Sequence, residues 1–169
     1  PIADRHPRFI SGTKLWHGEI QEAIQTVARV SGAELIDFHA PLYPYPYLLP
    51  DAIHPNPEGA GILAKTVYAG ITGDYGGLKL SELYADNMVL QRDMPLDIHG
   101  TANAGEQVTV SIAGQKVAAV ANNRGEWSVT LQPLRVGTDY TLTIQAGNQK
   151  REFHRVAAGE VWLCSGQSN

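Results

Sequence analysis

Apolar residues recur at helical spacing between Glu19 and Ser31, where Ile20, Ala23, Ile24, Val27 and Ala28 fall on one side of a 3.6-residue turn. Gly32 supplies a C-terminal stop, so the pattern predicts an amphipathic helix that docks on something. AELIDFH, Ala33 to His39, is a short β-type run. APLYPYPYLLP, Ala40 to Pro50, carries four prolines, which exclude a central strand or a helix interior and predict an irregular loop. Asn56 then stands where an N-cap belongs, with Pro57 at the first helical position and Glu58 beside it. Ala60, Leu63, Ala64, Val67 and Ile71 follow, so a second helix is predicted to start directly after His54.

Beyond TGDYGG, Thr72 to Gly77, the pattern changes to short runs that alternate or carry β-branched residues: PLDIHGT, EQVTVSI, QKVAAVA, GEWSVTLQ, DYTLTIQ and REFHRV. Turn residues lie between several of them. They predict an all-β module of about 80 residues, an antiparallel sandwich. EVWLCSG, Glu160 to Gly166, runs apolar without alternation, as a strand buried on both faces does. It is expected to be the first strand of another domain.

With 169 residues, 43% of them hydrophobic and 18% charged, the chain is long enough for one large or two small cores. A formal net charge of -4, with the basic residues scattered, gives no stripe for phosphate neutralisation, which argues against a nucleic-acid partner. No apolar run approaches the roughly 20 residues of a membrane helix, and no membrane partner is expected. The single cysteine excludes an internal disulfide and leaves the redox compartment open. His6, His17, His39, His99 and His154 are dispersed, so no metal site and no cofactor are implied.

Chemistry concentrates at two places. Asp51 and His54 are three residues apart in a loop leading into a helix, where one carboxylate can fix the tautomer of the imidazole and so prepare a general base. The same spacing also fits an Asp that caps a turn beside a loop histidine. Ser168, in CSGQSN, is flanked by Gly166, Gln167 and Asn169 after an apolar run, as in a nucleophile turn; an ordinary strand-to-loop turn has the same composition.

PDAIHPNPEGAGILAKTVYAGI, Pro50 to Ile71, resembles the last block of the SGNH (GDSL-like) hydrolases, in which Asp-x-x-His supplies two triad members ahead of the final helix. EIQEAIQTVARVSGAELIDFHAPL, Glu19 to Leu42, is similar to the helix and strand that precede that block. The segment from Leu78 to Gln115, with GEWSVTL and the closing GEVWLCSGQSN, resembles the sialate O-acetylesterase family, which places a β-sandwich-like domain ahead of a catalytic SGNH domain opening at Gly-Gln-Ser-Asn. The resemblance implies an α/β part of the flavodoxin-like three-layer SGNH fold plus an all-β antiparallel sandwich. Residues 1–73 would close one SGNH domain, 74–158 form the β-sandwich, and 159–169 supply the first strand and nucleophile turn of a second.

The order is reversed from that of a single SGNH domain, because Asp51 and His54 precede Ser168 by more than a hundred residues. A tandem arrangement is therefore expected: the two residues serve a serine upstream of Pro1, and Ser168 serves a histidine downstream of Asn169. A composite site, in which the two margins meet within one chain or between chains, remains the alternative. The resemblance implies a serine O-acetylesterase acting on acetylated carbohydrate, with His54 as base, Asp51 as its orienter and the backbone N–H of Ser168 as an oxyanion donor. The Gly and Asn blocks that complete an oxyanion hole in the family do not occur between Pro1 and Asn169, so the chain alone is expected to be inactive. The partner would be the remainder of the parent polypeptide or another chain. The resemblance further suggests a periplasmic or secreted setting. A second class of function is a non-catalytic β-module that binds glycan or spaces two esterase domains. For it, Trp127 and Tyr140 are candidate sugar-stacking residues, although both also fit a sandwich core. Cys164 is expected to be a small buried hydrophobe.

Overall fold

A computed structural model describes residues 12–51 and 53–165, with backbone alone over 12–17. The chain divides into two compact units, Pro1–Thr72 and Gly73–Asn169.

The first unit contains helix α1 (Gly12–Ser31), a 3-10 turn (Pro46–Leu48) and helix α2 (Pro57–Thr72). α1 begins seven residues before the position that its apolar spacing suggests, absorbing Gly18 at a cost of about 1 kcal/mol. It ends as the sequence indicates. Gly32 takes φ +69° and the Ala33 N–H donates to the Ala28 carbonyl at 3.0 Å, which closes a Schellman cap. α2 is capped by Asn56, whose Oδ1 accepts from the Gly59 N–H at 2.9 Å.

Ala33–His39 is not a strand. Residues 33–37 carry no regular secondary structure, because a strand exists only through a ladder to a neighbour and the described residues of this unit contain no strand to pair with. Ile36 packs beside α2: a Cβ added at Gly70 would sit 2.9 Å from its side chain. Ile24, Val27, Val30, Phe38, Tyr68 and Ile71 stay exposed, so the apolar stripes of the two helices are incompletely covered. The SGNH-type α/β layering thus has no sheet among the described residues of this unit. No helix of the described residues is long and apolar enough to cross a membrane.

Among its described residues the second unit is a seven-strand β-module: β1 (Val89–Gln91), β2 (Leu96–Thr101), β3 (Gln107–Ile112), β4 (Gln115–Val120), β5 (Glu126–Leu131), β6 (Gly137–Ala146) and β7 (Gln149–Gly159). Five strands form one sheet in the order β1-β7-β6-β3-β4, and β2 and β5 form a second. In β3 and β5 the alternation read from the sequence is the alternation of burial. Val108, Val110 and Ile112 of β3 and Leu142, Ile144 and Ala146 of β6 share a core with Ile98 of β2 and Trp127, Val129 and Leu131 of β5. The architecture is compatible with a β-sandwich.

Two features depart from expectation. The short strand β1 pairs parallel to β7, with Val89 opposite Ala157 and Gln91 opposite Gly159, so the module is not wholly antiparallel. Val161–Ser165 form no strand, and Val161, Trp162, Leu163 and Cys164 are exposed. A strand buried on both faces needs neighbours on both sides, and no described strand pairs with this segment. Cys164 accordingly is not the buried hydrophobe its apolar neighbours suggest.

Candidate active site

The loop carrying Asp51 and His54 runs from the 3-10 turn to α2, and both ends are fixed. Beneath it Leu48 and Leu49 are buried with Leu42 against Tyr43, Ile62 and Leu63, so the proline-rich segment turns its leucines inward onto α2. At its far end the Asn56 N–H donates to the Leu48 carbonyl at 2.8 Å. The first turn of α2 lies close over Leu48: a Cβ at Gly59 would stand 3.2 Å from its carbonyl oxygen and 3.3 Å from its Cβ. Leu48 and Asn56 are therefore the meeting ends of the loop that carries Asp51 and His54.

Asp51 organises the inside of that loop. Its Oδ1 accepts the backbone N–H of His54 at 2.7 Å and of Ile53 at 3.0 Å. Its Oδ2 meets His54 Nδ1 at 2.6 Å. The backbone N–H of His54, then the ring N–H of His54, then the Ile53 N–H hold the carboxyl well below the usual carboxylate range. An ionised carboxylate only accepts, so Nδ1 carries the proton, and in the neutral imidazole Nε2 presents a lone pair. The His54 side chain is 79% exposed, which leaves that lone pair open to a second molecule or segment. A histidine fixed in this tautomer with an accessible Nε2 can take a proton from a hydroxyl.

The backbone turn alone does not mark such a site. Asp37 makes the same turn, its Oδ1 accepting from the His39 and Ala40 N–H groups at 2.7 and 3.1 Å. The bond from Oδ2 to an imidazole nitrogen distinguishes Asp51.

Asp51 and His54 are thus brought together, while Ser168, with Gly166, Gln167 and Asn169, lies outside the described residues. Trp127 is 4% exposed in the core and presents no open stacking face, while Tyr140 is half-buried against that core. Among the described residues no cluster of His, Cys, Asp or Glu has the grouping to hold a metal ion.

A polar cluster that sequence reading passes over lies where β7 ends. Arg92 Nε donates to Glu160 Oε1 at 2.8 Å, Gln91 Nε2 donates to Glu160 Oε2 at 3.2 Å, and Gln91 Oε1 accepts the Val161 N–H at 2.9 Å. The Arg92 N–H donates to the Gly159 carbonyl at 3.0 Å. The only sequence signal is an Arg and a Glu 68 residues apart, which no local pattern connects.

No family model matches the chain. It is 32% identical over 126 residues to the sialate O-acetylesterase of Rattus norvegicus, covering 68% of this chain and 23% of that protein. To the sialate O-acetylesterase of Homo sapiens it is 35% identical over 104 residues, covering 55% and 20%. Among solved structures it is similar to a carbohydrate acetylesterase from Xanthomonas citri, with 32% identity, a TM-score of 0.49, and coverage of 50% of this chain and 20% of that one. The chain spans about a fifth of the length of the curated relatives it matches.

Proposed function

Since this chain belongs to the sialate O-acetylesterase-like family, we propose that it is part of a carbohydrate O-acetylesterase working through a serine acyl-enzyme, with Asp51 and His54 as the orienter and base of one of its sites. The observation that carries the reading is the 2.6 Å contact between Asp51 Oδ2 and His54 Nδ1 beneath an exposed imidazole.

Serine needs such a base because its hydroxyl is a weak nucleophile at neutral pH. His54 Nε2 takes the hydroxyl proton as the serine oxygen bonds to the acetyl carbonyl carbon. The tetrahedral oxyanion collapses, the sugar oxygen leaves and takes the proton from the imidazolium, and an acetyl-serine remains. Water then gives a proton to Nε2 as its oxygen bonds to the acetyl carbon; the bond to the serine oxygen breaks, the serine takes that proton back from the imidazolium, and acetate is released. Asp51 stays ionised throughout and stabilises the imidazolium.

The serine served by His54 is placed upstream of Pro1, in the domain that residues 1–73 close. Ser168 is read as the nucleophile of a second SGNH domain that begins with residues 159–169, its own N–H contributing to the oxyanion hole. The β-module lies between them in sequence. An architectural role for it is favoured over glycan binding by the burial of Trp127.

The test is acetate release from an O-acetylated sialoside and an O-acetylated xyloside by the parent polypeptide and its His54→Ala form. Loss of a large part of the turnover, with the fold intact by circular dichroism, is the expected result. Unchanged turnover on both substrates returns His54 to an ordinary loop histidine.

A further inference from the structure

The segment that leads into the Asp51–His54 loop carries tyrosines alternating with prolines, Tyr43 to Tyr47, and the three tyrosines are placed differently. Tyr43 turns inward, its ring 4.9 Å from that of His39, and packs on the cluster of Leu42, Leu48 and Leu49. Tyr45 and Tyr47 stay 45% and 63% exposed, with ring centres 6.1 Å apart and planes edge to face at 71°. The backbone that carries them is fixed. Pro44 and Pro46 each lock their own φ. The Tyr45 N–H donates to the Leu42 carbonyl at 3.0 Å, and the Tyr45 carbonyl accepts the Leu48 N–H at 3.0 Å. Leu48 and Leu49, which follow Tyr47, are buried and anchor the 3-10 turn.

A segment that served only as a cover would bury these rings as it buries its leucines. Two aromatic side chains instead meet solvent on a stiff turn, so little ordering is left to be done when a ligand arrives. An edge-to-face pair takes up at most one face of either ring, which leaves each a face of negative potential that polarised C–H groups can approach. The turn also adjoins the dyad. The Leu48 carbonyl accepts the Asn56 N–H at 2.8 Å, and standard bond lengths along that path put the Cα atoms of Tyr47 and His54 no more than about 15 Å apart. A short glycan bridges such a span. We infer that Tyr47, braced by Tyr45, is a specificity-determining residue of the Asp51–His54 site, a platform on which a pyranose ring of the acetylated substrate stacks by its C–H face. The inference rests on the reading of Asp51 and His54 as orienter and base. It gives that site a means of preferring a sugar ester to a simple acetate, through contact with a part of the substrate remote from the ester. A single stack is felt in the kinetics of the assembled site and is too weak to retain a sugar on a surface.

The experiment measures acetate release by the parent polypeptide from an O-acetylated xyloside, an O-acetylated sialoside and ethyl acetate, which has no ring to stack. The His54-dependent rate is read as the rate of each protein less that of the same protein carrying His54→Ala. The quantity compared is kcat/KM for the better sugar ester divided by kcat/KM for ethyl acetate. Both esters pass through the same dyad, so a disturbance of Asp51 or His54 cancels in the ratio. Tyr47→Ala is expected to lower the ratio by about fivefold to tenfold, chiefly through a higher KM for the sugar ester. Tyr47→Phe, which keeps the ring, should hold it near the wild-type value. An unchanged ratio in both Tyr47→Ala and Tyr45→Ala overturns the platform and leaves the dyad reading standing. An equal fall in Tyr47→Phe assigns the effect to the phenolic hydroxyl and overturns the stack. No His54-dependent turnover of any of the three esters in the wild-type protein overturns the dyad reading and the platform with it.

Discussion

Asp51 holds His54 at two points, its Oδ2 on the ring nitrogen Nδ1 at 2.6 Å and its Oδ1 on the backbone N–H at 2.7 Å. One carboxylate therefore fixes both the position of the residue and the tautomer of its ring. The bonds are local, within three residues, so the dyad does not depend on a distant element to assemble it. What it requires is a floor, and Leu48 and Leu49 provide one.

Asparagine at position 51 separates the two functions. Its side-chain oxygen can still accept the Ile53 and His54 N–H groups, but its NH2 cannot accept from Nδ1–H, which favours the wrong tautomer. In the parent polypeptide Asp51→Asn should lower turnover at the upstream site by about 10^4-fold. His54→Ala should lower it at least as far, with circular dichroism unchanged in both. A loss of only a few-fold in Asp51→Asn would place the carboxylate in the loop structure alone.

The direction of the Asp51 shift can be read without activity. A carboxyl held lower in the folded state than in the unfolded chain adds stability above its unfolded value, and that contribution is lost as pH falls through the folded one. The Asp51 side-chain 13C resonance should therefore titrate below the ordinary aspartate value of 3.8. The Ile53 and His54 amide signals should hold their positions at pH 4. A midpoint at or above 3.8 would show that the three hydrogen bonds to Asp51 do not persist in solution.

Gly100 sits opposite Trp127 in the β2–β5 ladder, and a Cβ there would come within 2.5 Å of the Lys79 carbonyl and 2.9 Å of the Trp127 ring. Backbone cannot move aside as a flexible side chain can. Gly100→Ala should cost about 1–3 kcal/mol, lowering the melting temperature of the β-module by about 4–8 °C per kcal/mol. An unchanged melting temperature would mean that the β2 edge is looser than the Lys79–Thr101 pairing indicates.

On a glycan array, the chain is expected to show no retention. Trp127 is in the core and Tyr140 is half-buried against it, so the strand pattern offers no exposed pair of aromatics for sugar stacking. Retention of any sugar class, abolished by substitutions on the outer face of the five-stranded sheet, would favour the binding-module reading.

Much of this was legible in the residues because the signals are local. Asn56-Pro57 marks the start of α2 to the residue, Gly32 marks the end of α1, and runs that alternate or carry β-branched residues mark six strands of the β-module. The Asp51–His54 contact is local as well, since the Asx turn and the ring bond both lie inside four residues. The errors arise where structure depends on a partner. Ala33–His39 and Val161–Ser165 have strand-like composition without a neighbouring strand, and β1 is too short to show alternation, existing only through its pairing with β7. The Arg92–Glu160 pair joins residues 68 apart and leaves no periodic trace.

Whether His54 and Ser168 serve two sites or one is decided by acetate release from an O-acetylated sugar. The proteins to compare are the parent polypeptide, His54→Ala, Ser168→Ala and the double variant. Two sites fail independently, so each single variant should keep the turnover of the other site, the two residual rates should sum to the wild-type rate, and the double variant should release no acetate above buffer. Complete loss in each single variant, with the double variant no worse, would contradict the tandem arrangement and establish a composite site shared by His54 and Ser168.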